Sequence, residues 1–115
     1  MTALIIDDDP IIQLLVSTML ASKKYDVTSA DSEESLVSLL GVTQPNFDLI
    51  LIDLQLVEVS GYDVYSRHVK DRFPDSRVIF MSANSKEDAI SLYSIPEDAN
   101  FLEKPFKAPD LFELL

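Results

Sequence analysis

A chain of 115 residues can bury one sizeable core but not two, so a single domain is expected, spanning 1–115. Its composition, 47% hydrophobic and 25% charged, is ordinary for a folded globular protein and excludes a disordered chain. Twenty Asp and Glu against nine Lys and Arg give a formal charge of −11, which repels phosphate backbones and anionic lipid and argues against nucleic-acid or membrane partners.

Met1-Thr2-Ala3-Leu4-Ile5-Ile6 has no basic region and meets three aspartates at once, unlike a secretory signal. No later segment has the length of a bilayer span, and with no cysteine neither disulfides nor thiolate metal sites arise. A cytoplasmic protein is expected. Thr2 to Ile6 reads as a strand, stopped by Asp7-Asp8-Asp9-Pro10, where acids can cap and proline can open a helix. In that helix Ile11, Ile12, Leu15, Val16, Met19 and Leu20 recur at three- and four-residue steps, predicting one broad buried stripe, and Lys23-Lys24 close it.

Tyr25 to Ser29 reads as a second strand, and Asp31-Ser32-Glu33-Glu34 supplies the cap and first-turn acids of a helix ending at Gly41. Pro45-Asn46 breaks the chain before Phe47-Asp48-Leu49-Ile50-Leu51-Ile52-Asp53, a nearly unbroken apolar run that ends in one carboxylate. A run so short and aliphatic reads as a strand covered on both faces. A loop then leads to Gly61 and a helix running to Phe73-Pro74. Arg77 to Met81 is a fourth strand, Lys86 to Tyr93 a fourth helix ended by Ile95-Pro96, and Ala99 to Leu102 a fifth strand. A last helix starts near Pro109-Asp110 and is cut off at Leu115. Five strands alternating with helices predict an α/β fold, a doubly wound parallel sheet with helices on both faces.

In such a sheet the strand ends bring Asp7, Asp8, Asp53, Ser82 and Lys104 to one edge, where ligands bind. Crowded carboxylates repel and raise one another's pKa unless a cation is shared, and a hard, oxygen-rich set suits Mg²⁺. Taken singly, each residue has a plainer role. Asp7 and Asp8 could cap a helix, Asp53 could open a loop, Ser82 could be a loop serine, Phe101 core, and Lys104 an exposed turn residue. His68, the single histidine, has no plausible metal partner in the sequence around it.

Taken together, Ile5-Ile6-Asp7-Asp8-Asp9-Pro10, Asp48-Leu49-Ile50-Leu51-Ile52-Asp53 with Gly61 beyond it, Met81-Ser82-Ala83, and Phe101-Leu102-Glu103-Lys104-Pro105-Phe106 resemble the receiver domain of two-component response regulators, over essentially the whole chain. The resemblance implies a flavodoxin-like, CheY-like sheet of order 2-1-3-4-5. It implies Asp53 as phosphoacceptor from a phosphohistidine of a sensor histidine kinase or phosphotransfer protein. Mg²⁺, with Mn²⁺ a substitute, would be held by Asp7, Asp8, Asp53 and the Gln55 carbonyl. Lys104 would pair with the acceptor, Ser82 would donate to the new phosphoryl oxygens, and Phe101 would rotate as a switch. Gln55 and Asn84 match positions that tune hydrolysis; neither is acidic, which implies a phosphoryl group that is not especially short-lived.

The resemblance implies a switched downstream protein or effector domain, with a homodimer through the helix-4 and strand-5 face among its modes. It implies a signalling module and not a turnover enzyme. The abrupt end of the last helix at Leu115 gives the expectation of a receiver that is trimmed, or cut from a longer regulator or hybrid kinase. Three features depart from the pattern: Val57 where proline is usual, Glu97-Asp98 before the fifth strand, and Ile95-Pro96 after the fourth helix. Two other readings compete. One is a phosphorylation-independent docking domain, or pseudo-receiver. The other is a haloacid-dehalogenase-type phosphatase, which would want an aspartate where Gln55 stands.

Overall fold

A computed structural model describes residues 1–42 and 46–115; the break expected at Pro45 lies outside the described residues. The strands are β1 (Thr2–Ile6), β2 (Asp26–Ala30), β3 (Leu49–Asp53), β4 (Arg77–Ser82) and β5 (Asn100–Glu103), and the helices are α1 (Pro10–Ser22), α2 (Glu33–Val42), α3 (Gly61–Val64), α4 (Lys86–Tyr93) and α5 (Ala108–Phe112). The sheet has the order β2-β1-β3-β4-β5 with every pairing parallel, which is the flavodoxin-like arrangement expected. None of the helices among the described residues is long and apolar enough to cross a membrane.

Alternation along the strands divides the core into two layers. Leu4, Ile6, Ile50, Ile52 and Phe80 face one side and pack with Leu36 and Leu40 of α2, Val64 of α3 and Ala89 of α4. Ala3, Ile5, Leu49, Leu51, Ile79 and Met81 face the other and meet Val16 and Leu20 of α1 and Leu111 of α5. β3 is buried at all five positions because it lies mid-sheet with helices on both faces. That is why its sequence shows no polar alternation.

Most helix starts follow their caps. Asp9 accepts the Ile11 N–H ahead of Pro10, Ser60 accepts that of Asp63, and Ser85 that of Asp88. Ser32 Oγ accepts the Ser35 N–H at the head of α2, which runs one residue past Gly41. Strands β2 and β5 are each displaced one residue beyond the stretches read from sequence, since the register is set by neighbours and not by local propensity.

Two expectations need correcting. The stripe on α1 is narrower than its periodicity suggests: only Val16 and Leu20 are fully buried, while Ile11 is 74% and Leu15 42% exposed. The third helix is also not a uniform α-helix to Phe73. After Val64 it passes into a π-helical turn over Tyr65–Val69, with Lys70 N–H reaching the Tyr65 carbonyl at 2.9 Å. Buried Val64 and Val69 are five residues apart, about 140° out of phase in an α-helix; the wider turn brings both onto the core.

Gly61 sits where the chain returns against β3. A Cβ there would lie 2.0 Å from the Asp53 carbonyl oxygen and 2.9 Å from an Ile52 methyl, whereas a Cβ on Gly41 meets nothing within 4 Å. Gly61→Ala should therefore lower unfolding stability by about 1–3 kcal/mol through overpacking, and Gly41→Ala should change it by about 0.5 kcal/mol in the stabilising direction. Urea titrations of the two variants check both.

Candidate phosphoacceptor and cation site

Parallel pairing puts the carboxyl ends of the strands on one rim. Ile6 pairs with Ile52, so Asp7 and Asp53 leave β1 and β3 side by side. Asp53 is level with Met81, which sets Ser82 one step further out, and Ser82 is level with Glu103, the residue before Lys104. Asp7 and Ser82 are fully buried and Asp53 is 4% exposed; they are the buried polar residues of the described chain.

Each of the three accepts the backbone N–H two residues on, a local turn that Asp and Ser side chains favour. Asp7 Oδ1 receives Asp9 N–H at 2.8 Å, Asp53 Oδ1 receives Gln55 N–H at 3.0 Å, and Ser82 Oγ receives Asn84 N–H at 3.0 Å. These bonds aim the side chains at the rim. Lys104 Nζ then lies 2.9 Å from Asp7 Oδ2 and 3.3 Å from Asp53 Oδ2, and carboxylate oxygens of Asp7, Asp8 and Asp53 come within 4.8 Å of one another.

Three carboxylates face one ammonium, so the cluster stays anionic. Burial pushes the Asp53 carboxyl above its ordinary range and the Asp7 charge adds to this, against the Gln55 N–H and Lys104, which favour the ionised form. Burial works against the Lys104 ammonium too, but the hydrogen bond to Asp7 and the charges of Asp53 and Asp7 outweigh it and hold its pKa above the usual lysine value. Hard oxygen donors with a charge excess and a half-exposed member, Asp8, fit a divalent cation.

The other residues singled out in the sequence fall around this cluster. Gln55 is exposed and its side-chain oxygen accepts the Ala83 N–H at 3.3 Å, tying the β3–α3 loop (residues 54–60) to the end of β4. Asn84 is half-buried beside Ser82. Phe101 is half-buried, level with Phe80 and packed against the layer that holds α4. Val57 stands 84% exposed in the β3–α3 loop. His68 does not join the acids; its Nε2 is 2.8 Å from Glu33 Oε2, and Arg67 binds the same carboxylate at 3.1 Å. The hydrogen bond from His68, and after it the hydrogen bond and charge of Arg67, hold the Glu33 pKa below the ordinary value.

Sequence reasoning missed Gln13. Its Nε2 donates to the Asp7 carbonyl at 2.6 Å and to the Ala30 carbonyl at 3.2 Å, bracing the ends of β1 and β2 from α1. The signal was one amide amid an apolar run, one turn after the cap. The Glu33 cluster left no comparable trace, because its partners are 34 and 35 residues away in the chain.

A family model described as the response regulator receiver domain matches residues 3–115. Two-component response regulator ORR5 of Oryza sativa subsp. japonica is 29% identical over 113 residues, covering 96% of this chain and 83% of that protein. Response regulator SaeR of Staphylococcus epidermidis is 29% identical over 109 residues, 94% of this chain and 45% of that one. Two solved structures share the fold. A response regulator protein from Burkholderia pseudomallei, with a phosphorylated aspartic acid, calcium ion and citrate, matches with TM-score 0.80 at 24% identity over 99% of this chain and 65% of that chain. Response regulator protein TrrA from Thermotoga maritima, in complex with Mg²⁺-BeF, matches with TM-score 0.80 at 24% identity over 99% and 98%.

The raised Asp53 pKa fixes the sign of a pH effect. Between the ordinary carboxylate value of 3.8 and the raised folded value, the unfolded chain has lost its proton and the folded one keeps it. Stability attributable to this group therefore falls as pH rises through that window and stays lower above it. In metal-free buffer, Asp53→Asn should unfold at higher urea concentration than the native protein at pH 7, with the gap narrowing toward pH 4. An equal gap at both pH values would contradict the assignment.

Proposed function

The chain belongs to the response regulator receiver domain family, and from that premise we propose that it is the phosphoacceptor switch of a two-component system, with Asp53 as the residue modified. The observation that carries this reading is the Lys104 ammonium seated between the Asp7 and Asp53 carboxylates, with Asp8 completing an acid trio. The donor is a phosphohistidine on a sensor histidine kinase or phosphotransfer protein. An Asp53 oxygen forms the new P–O bond as the P–N bond breaks and its electron pair returns to the imidazole.

Asp7, Asp8, Asp53 and the Gln55 carbonyl are the groups that would hold Mg²⁺, which when bound neutralises the charge of the loose phosphoryl transition state. The chain's own residues do the positioning. The Gln55 N–H fixes the Asp53 carboxylate about its side-chain torsions, and Lys104 offsets charge on Asp53 before transfer and on the phosphoryl group after it. Ser82 donates its hydroxyl to a phosphoryl oxygen, giving up its local acceptance of the Asn84 N–H as its loop is drawn inward. Phe101, half-buried on the neighbouring strand, follows that movement and changes the surface of α4 and β5. The product is a modified protein and not released phosphate, so the chain acts as a signalling module. Ile95 is buried and Ser94 closes α4 in a left-handed conformation, so α4 ends sharply at this surface.

Incubation with a small acyl phosphate and Mg²⁺ should add one phosphoryl group to the intact mass, and Asp53→Ala should abolish the gain. No gain in the native protein would favour a docking module that works without phosphorylation. Sustained phosphate release from external esters would favour a phosphatase. With Gln55 and Asn84 in the places where a carboxylate would activate water, the adduct should outlast a short incubation. Asn84→Glu should speed its loss by about ten-fold, a difference of about 1.4 kcal/mol in barrier, read as decay of the phosphorylated mass.

A further inference from the structure

A groove with a volume of about 980 Å³ runs between α2, the β3–α3 loop and the π-helical turn after α3, and reaches Asp8 at its inner end. Its apolar strip is made by Val37, Leu56, Val57 and Val59. Val57 and Val37 are 84% and 48% exposed, so this strip presents β-branched surface to water on either side of a concave wall.

Among the described residues, the charge around the strip that is left outside ion pairs has one sign. Arg67 and His68 line the groove, but both are engaged by Glu33, and that cluster ties α2 to the turn opposite, so the walls are preformed. Asp31, Glu34 and Glu58 line it as well and make no ion pair among the described residues. An anionic ligand or nucleic acid meets repulsion here, and so does a second copy of a chain whose formal charge is −11.

We propose that this groove docks a basic amphipathic segment of a partner protein, with apolar side chains against Val37, Leu56, Val57 and Val59 and Lys or Arg side chains against Asp31, Glu34 and Glu58. Apolar contact supplies the affinity and the acidic rim the choice of partner and its orientation. The site is separate from the α4 and β5 surface and does not require Asp53 to accept a phosphoryl group, so it stands or falls apart from the switch.

The test uses the whole chain and a fluorescein-labelled helical peptide of leucine and lysine, read by anisotropy at physiological salt, where diffuse attraction between distant charges is largely screened. The native protein should bind it and should not bind the leucine and glutamate counterpart. The double variant Val37→Asp, Val57→Asp is the discriminating measurement because it makes the protein more acidic. A groove loses affinity by about ten-fold or more, whereas attraction to overall charge gains. Leu92→Asp on α4, 63% exposed and outside the groove, should bind as the native protein does. Glu34→Gln with Glu58→Gln, which leaves the strip intact, should also weaken binding. Failure of the native protein to bind, unchanged or tighter binding by the double valine variant, or equal weakening by Leu92→Asp would each overturn the proposal. All the replaced side chains are exposed, and far-UV circular dichroism verifies that the variants fold.

Discussion

One ammonium group between two buried carboxylates is the contact on which the site depends. Asp7 is wholly enclosed and Asp53 nearly so, and an ionised pair of acids side by side in such a place is unfavourable by desolvation and by mutual repulsion. Lys104 relieves part of that strain from the far side of the sheet, 97 residues along the chain from Asp7. It does not relieve all of it, since Asp8 adds a third negative charge at the open side. The cluster that results is held together yet short of positive charge, which gives it both a fixed shape and an appetite for a cation.

The sheet makes this arrangement inevitable once the register is set. Each functional side chain sits on or just beyond the last residue of a strand, and parallel pairing carries all of them to one edge. The short polar turns then fix their direction: Asp7, Asp53 and Ser82 each hold the N–H two residues ahead. The same strategy explains Gly61, whose missing side chain lets the loop after Asp53 fold back onto the carbonyl of that residue. In the same loop Gln55 meets both Asp53 and Ala83, through its N–H and its side-chain oxygen.

Much of this was legible in the sequence because it depended on strong local signals. The aliphatic run before Asp53, the Asp9-Pro10 helix start and the order of strand ends are each written in a few adjacent residues, and the acids and Lys104 followed from topology. What escaped had its cause elsewhere in the chain. Ile11 and Leu15 carry the right periodicity, but the face of α1 that meets the core is centred on Val16 and Leu20 with Ile12 and Met19 at its margin, and leaves Ile11 and Leu15 in solvent. The π-helical turn answers the spacing of buried Val64 and Val69, and propensity carries no mark of it. Gln13 and the Glu33 cluster reach across elements whose juxtaposition no local window contains.

The Gln13 amide has a mechanical corollary. By gripping the carbonyls of Asp7 and Ala30 together, it welds the leading end of α1 to two strand tips and makes that flank of the rim an anvil. On the opposite flank the backbone itself makes the ties, Lys104 N–H to the Ser82 carbonyl at 2.8 Å and Leu54 N–H to the Met81 carbonyl at 2.9 Å. Beyond the strand end, Ala83 N–H reaches the exposed Gln55 side chain at 3.3 Å and Ser82 Oγ accepts the Asn84 N–H of its own loop. Among the described residues, then, one helix side chain clamps two strand tips at the β1 end of the rim, and no helix side chain does the same beyond β4.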